Sequence, residues 1–296
     1  MTYSAKNQRL SIKSYYLAKG LMMKKFISFY TVLFLLSTIF SLFSSAKANS
    51  DADVTQYMAL SGINAALNGI PAQMSAMKQQ MQMTVKDPEQ AQKVMNLLLN
   101  AWRLDDVKQV VFEHIKDNFS ADEMQKLLTW LNGDLARRIK MAEAKASTPS
   151  FNQDLMNYMA ILQTTPPTTE RIKVVRNFVE TTNLVEHSLN IVTAVAKGTI
   201  EGLMVANPGQ GINEVQIQTQ LTQMEAMMRP GLEQQMIMVS YFIYQPLTEQ
   251  EIAQYTQFYQ QPLGQKELTV MYEGIGQALN YWSTTAFEDI AAEFIE

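Results

Sequence analysis

Two histidines are the only imidazoles of the chain, and each follows a glutamate: Glu113-His114 and Glu186-His187. An acid beside an imidazole suggests proton transfer, yet adjacent residues on a helix point to different faces, so neither dipeptide is a dyad in itself. Structural roles are expected for both. Cysteine is absent, which excludes a thiol nucleophile, a disulfide framework and Cys-ligated zinc. Methionine is plentiful. Met74, Met77 and Met81 form an i, i+3, i+7 stripe with Met83 following, and Met224, Met227, Met228, Met236 and Met238 form a second group. Soft thioethers suit copper(I), so Met-based copper(I) binding is one alternative function. No histidine accompanies either group, however, and an adaptable core or contact surface is the stronger reading. The chain has no His-Glu-x-x-His, Gly-x-Ser-x-Gly or P-loop string, so zinc peptidase, α/β-hydrolase and nucleotide chemistry lack their residues. No catalytic residue, metal site or cofactor is assigned.

One string has an enzymatic counterpart. Gly202-Leu203-Met204-Val205-Ala206-Asn207-Pro208 resembles the Gly-Leu-Met-Gln segment of lytic transglycosylases, which are helical and periplasmic. Such enzymes protonate a glycosidic oxygen with one acid. Here Val205 stands in place of Gln and no Glu-Ser pair precedes it; Glu186 or Glu201 would have to serve. The resemblance implies a cell-envelope glycan hydrolase as the alternative to a binding protein.

The elements that hold these residues read as helices throughout. Strand alternation is scarce, and apolar residues recur at three and four. Ser120-Ala121-Asp122-Glu123 and Thr248-Glu249-Gln250-Glu251 are capping boxes, a hydroxyl followed three residues later by a carboxylate. Asp87-Pro88-Glu89-Gln90 is a third helix start, and Asp134 and Ser150 are candidate caps. Breaks are expected at Asn68–Pro71, Thr164–Thr169, Asn207–Gly211 and Arg229–Gly231. Most helices should then run about 10–20 residues. The fold class is all-α, a helical bundle.

The capped segments also repeat. At a constant offset of 128, Ser120 matches Thr248, Glu123 matches Glu251, Met124 matches Ile252, Trp130 matches Phe258, Leu131 matches Tyr259, Leu135 matches Leu263 and Arg138 matches Lys266. A weaker match pairs Tyr57–Ile63 with Phe178–Leu184 at offset 121. Two related helical halves are the economical reading, 49–164 and 168–296, able to pack about a pseudo-two-fold axis. The segment Phe258-Tyr259-Gln260-Gln261-Pro262-Leu263-Gly264-Gln265-Lys266, after its capped acidic start, resembles the signature of a secreted bacterial family of unknown function. In the first half Asp134 replaces Pro262, Ala136 replaces Gly264 and Arg138 replaces Lys266. The resemblance implies an all-helical secreted domain and carries no catalytic residues. On physical grounds the segment is a helix–helix corner. Pro262 suits a first helical turn, Gly264 permits a close approach, and Lys266 needs a carboxylate such as Glu251 or Glu267. Tyr255, Phe258, Tyr259, Pro262, Gly264 and Lys266 are the candidate contacts for a ligand or partner, in a groove between the halves; for the aromatic members a shared core of the two halves is the favoured reading.

The chain opens with an address. Residues 1–48 hold seven basic residues and no acid, then an uncharged run from Phe26 to Phe43, then Ala46-Lys47-Ala48. Basic, apolar and small-x-small in that order is a secretory signal, cut near Ala48, with an uncleaved anchor as the competing reading. A start at Met22 or Met23 would give it an ordinary length. The protein is expected in the periplasm, with no stable membrane span after cleavage. Removing those seven leaves 17 basic residues against 28 acidic ones, a net charge of −11. So acidic a chain lacks the footprint for nucleic acid or anionic headgroups. An envelope protein or an amphipathic small ligand remains as partner.

Overall fold

The computed structural model describes residues 49–84, 88–148, 150–206 and 213–295. The expected leader at 1–48, the cap at Asp87 and the turn at 207–211 lie outside the described residues. The described chain is all-α, without strands. Its first part runs α1 (Asp51–Leu60), α2 (Ile63–Thr84), α3 (Pro88–Asn100), α4 (Leu104–Asn118), α5 (Ala121–Leu131) and α6 (Asp134–Glu143). A 3-10 turn (Ala144–Ser147) and α7 (Phe151–Thr164) lead to α8 (Thr169–Thr181), α9 (Leu184–Ala206), α10 (Glu214–Ile243), α11 (Glu249–Tyr259) and α12 (Pro262–Ile295). No helix among the described residues is long and apolar enough to cross a membrane.

Helix ends coincide wherever the sequence matches. Adding 128 to the bounds of α5 gives those of α11, and adding 128 to the start of α6 gives that of α12. Both capping boxes form: Ser120 Oγ accepts from the Glu123 N–H, Thr248 Oγ1 accepts from the Glu251 N–H, and each glutamate closes back on its cap. At offset 121, α1 and α8 end together at Leu60 and Thr181. Each is followed by Ser61 or Thr182 and then by the two described residues of positive φ, Gly62 (84°) and Asn183 (48°). Glycine enters that region without strain, and asparagine is the side chain that tolerates it best, so both chain reversals take the same backbone path.

Two expected breaks are not breaks. α2 continues through Pro71 and α10 through Pro230 and Gly231. An interior proline costs about 3 kcal/mol. Around Pro71, Leu67, Ile70 and Met74 are buried; around Pro230, so are Met228, Leu232 and Met236. Burying each side chain contributes about 1.5–3 kcal/mol, so the continuous apolar stripe wins over the local penalty. As a result α2 and α10 have 22 and 30 residues; α9 and α12, with 23 and 34, bring the helices longer than 20 residues to four among the described residues, against the one or two that the breaks allowed. Asp134 is not a cap either. Gly133 takes the extended cap position, and Asp134 is the first helical residue, paired with Arg137. Ser150 precedes α7 without a capping hydrogen bond, because its backbone is already helical.

The architecture turns on α12. It lies along α9 in parallel, with Ala194 beside Gly276, Gly198 beside Asn280 and Gly202 beside Thr284. Asn280 Nδ2 donates to the Ala194 carbonyl and to Glu201. On another side α12 packs on α3 and α4. Trp282 meets Trp102 edge to face at 5.4 Å, and its Nε1 donates to the Leu98 carbonyl. One apolar core runs through both parts of the chain.

Candidate functional site

The two helix corners, α5–α6 and α11–α12, face each other. Trp130 stacks on Phe258, its offset-128 counterpart, with ring centroids 5.8 Å apart and planes within 16°. The ion pairs cross reciprocally. Lys266 Nζ reaches Glu123 at 2.7 Å, and Arg138 reaches Glu251. The expected partner of Lys266, Glu251 or Glu267, is therefore replaced by Glu123: Arg138 engages Glu251, and Glu267 turns into the core. Each cap glutamate does double duty. Partial burial pushes the Glu123 carboxyl up, but hydrogen bonds from Lys266 and Ser120 outweigh it and hold it below the usual range. The Glu251 carboxyl is lowered chiefly by the Thr248 N–H, with Arg138 adding to it.

The candidate contact residues thus divide. Tyr255, Phe258 and Tyr259 are buried, Tyr255 and Tyr259 against Phe178 and Phe258 against Trp130 and Tyr259, so the corner is filled by its own rings. Pro262 opens α12 as its first residue. Gly264 serves a close approach, and what approaches is Phe258: a β-carbon there would lie 2.5 Å from its ring and from its carbonyl oxygen. Lys266 is half-buried in its ion pair. Trp130→Ala and Phe258→Ala should each cost about 3 kcal/mol, and a stacked pair adds a coupling of about 1 kcal/mol. Urea unfolding of both single variants and the double variant measures that coupling; strictly additive losses would mean the rings do not work together.

A hollow of about 590 Å³ does lie between the two parts of the chain, where α4 meets α12. Its lining includes Asp106, Glu113, His114, Asp117, Gln277 and Tyr281, with Val110 among them. Arg103 pairs with Asp106 at 2.7 Å and donates to the Tyr281 hydroxyl, which neutralises one end. Glu113 accepts from Gln109, and Glu273 stands 3.6 Å from His114 Nε2. Among the described residues no lysine or arginine pairs with Glu113, Asp117 or Glu273. The hollow is thus acidic with a small apolar floor. Sequence reasoning missed it. Asp106, Gln109, Glu113 and Asp117 recur at three and four along α4, a polar stripe that signals a solvated helix face but not what faces it.

The other candidates fall apart in space. Glu186 is paired with Arg229, which holds its carboxyl below the usual range, the opposite of what a glycosidic proton donor needs. Glu201 accepts from Asn280, with Lys197 at 3.6 Å. Gly202-Leu203-Met204 lies within α9, where Gly202 serves the contact with α12. Met74, Met228 and Met236 are core, whereas Met227 is exposed; the side chains of Met77, Met81 and Met83 lie outside the described residues. His187 stacks flat on Tyr272 at 4.3 Å. Among the described residues no group of three or more acidic or imidazole side chains is placed to hold a metal ion. No family model, curated protein or solved structure matches the chain.

Proposed function

We propose that the protein is a secreted, periplasmic, non-catalytic binding module of two related helical halves, whose working surface is the acidic hollow between α4 and α12. The hollow carries this reading: Glu113 and Asp117, neither within ion-pair distance of a lysine or arginine among the described residues, line it beside Val110, and Glu273 stands 3.6 Å from the lining His114. The matching occupant is a basic amphipathic helix or peptide of an envelope partner, apolar on one face and rich in lysine or arginine on its flanks. The net charge of −11 beyond residue 48 favours the same partner by steering its approach. Coincident helix ends and crossed ion pairs support descent of both halves from one unit, the reading that the offset-128 match suggests.

A test needs a probe and a control of equal charge. The probe is an amphipathic Lys/Leu helix of about five turns, titrated calorimetrically at low and high salt. Neutralising Glu113, Asp117 and Glu273 together should weaken binding at least tenfold, since each contact charge carries a share of it. Neutralising Glu170, Glu225 and Glu233 instead should change it less than twofold. Equal losses in the two triple variants would show only general attraction to an acidic protein and would end the proposal.

A further inference from the structure

Behind the stacked corner lies a polar cluster that the binding role does not use. Tyr57, Glu143, Tyr244, Tyr255, Tyr259 and Glu267 are all buried. The Tyr57 hydroxyl, from α1, donates to Glu267 Oε1 at 3.0 Å. The Tyr244 and Tyr255 hydroxyls, from the far part of the chain, donate to Glu143 Oε1 at 2.9 and 3.0 Å. Tyr255 and Tyr259 hydrogen-bond each other. Each carboxyl therefore comes from one half and takes its tyrosine donors from the other. Glu267 has no solvent exposure, and its Oε2 is buried without a hydrogen-bond partner.

We propose that this cluster is a proton-operated clasp between the halves, closed while the Glu267 carboxyl is protonated and loosened when the proton leaves. A neutral carboxyl tolerates a dry site with one donor. A carboxylate there has too few donors and faces a second carboxyl, Glu143, so its charge is relieved only by admitting water. The groups facing Glu267 are Tyr57 on α1, Glu143 at the end of α6 and Tyr259 on α11; its neighbour Lys266 is turned outward to Glu123. Burial first, then Glu143, push the Glu267 carboxyl well above the usual range, against the Tyr57 hydrogen bond. A group raised in the folded state holds its full stabilisation below its ordinary value of 4.5 and loses it as pH rises towards the raised one. The clasp therefore opens on the alkaline side, and opening would uncover Tyr255 and Tyr259.

Amide exchange of the whole protein tests this, with protection factors corrected for intrinsic rates, from pH 5 to pH 9. In the wild type, protection at 54–60 and 262–270 should fall reversibly, by about tenfold per pH unit above the midpoint, as one released proton requires. Glu267→Gln, neutral at every pH, should keep both segments protected throughout. Tyr57→Phe removes the hydrogen bond that favours the carboxylate, so it should move the midpoint to higher pH, and it keeps the test alive if the glutamine variant fails to fold. Protection that does not change with pH in the wild type overturns the clasp, as does a Glu267→Gln protein with the wild-type pH response or a Tyr57→Phe midpoint at or below the wild-type value.

Discussion

Gly202→Ala and Gly198→Ala are expected to cost about 3 kcal/mol each, and the double variant should leave little folded protein in a domain of ordinary stability. The reason is the parallel contact of α9 with α12. A β-carbon on Gly202 would run into the Thr284 carbonyl, with the Glu288 N–H at 3.0 Å and the Phe287 β-carbon at 3.1 Å. On Gly198 it would meet the Ser283 hydroxyl and lie 2.5 Å from the Asn280 carbonyl. These are backbone atoms and a buried serine, not the flexible tips of long side chains, so relief requires the helices to separate. Separation then loosens the burial of Ile191, Val195 and Leu279 along the same faces. Gly231 is the internal control. It also sits inside a helix, with nothing near its missing β-carbon, so Gly231→Ala should gain up to about 1 kcal/mol from helix propensity. Urea midpoints of the three single variants decide the matter; if Gly202→Ala were as benign as Gly231→Ala, the close crossing would not be what holds α12 in place.

The second large effect is on pH. Burial lowers the pKa of His187 from 6.5 to about 4, against the opposing pull of Glu186 beside it. The unfolded chain thus takes up a proton at a pH where the folded chain does not. The stabilisation from neutral His187 is complete above 6.5 and is lost as pH falls towards 4, a change of about 3 kcal/mol. His187→Phe keeps a flat ring for the stack on Tyr272 and has no proton to bind. The stability difference between wild type and variant, measured by denaturant titration at steps from pH 7.5 to 4.5, should swing against the wild type by most of that amount. Glu267 acts in the opposite sense but is present in both proteins, so it cancels in the difference. A difference that stays flat across the window would place a solvated, ordinary histidine at this position.

Local chemistry was legible in the sequence, and cross-chain packing was not. Ser120 and Thr248 announce their helices because a cap needs only a hydroxyl and a carboxylate three residues apart, and both boxes form. Proline at 71 and 230 misleads because its penalty is local while the compensation comes from distant core partners. Lys266 was placed with the wrong carboxylate for a similar reason: proximity in sequence favoured Glu251 and Glu267, yet the matched pairs Glu123/Glu251 and Arg138/Lys266 already contained the crossed solution. Glu267 is one of the two carboxylates that the sequence offers Lys266. Its position on the apolar stripe with Leu263, Val270, Met271 and Gly274 is the signal that marks it as inward. The aromatic residues after Thr248 read as a core in preference to a contact surface, but the sequence does not say what covers them, because burial depends on what another segment brings. Phe178 and Tyr244 bring it.

The order in which the chain is made has a bearing on how it folds. The helix that touches α3, α4, α9 and α11 is α12, which follows all of them in the chain, and at 1.5 Å per residue its 34 residues form a rod of about 51 Å. Everything upstream emerges before its central support exists. The earlier helices can form and pair with near neighbours, but the common core closes only when α12 arrives. Such a chain stays pliable while it is being made, and sets only once the residues of α12 are free of the ribosome.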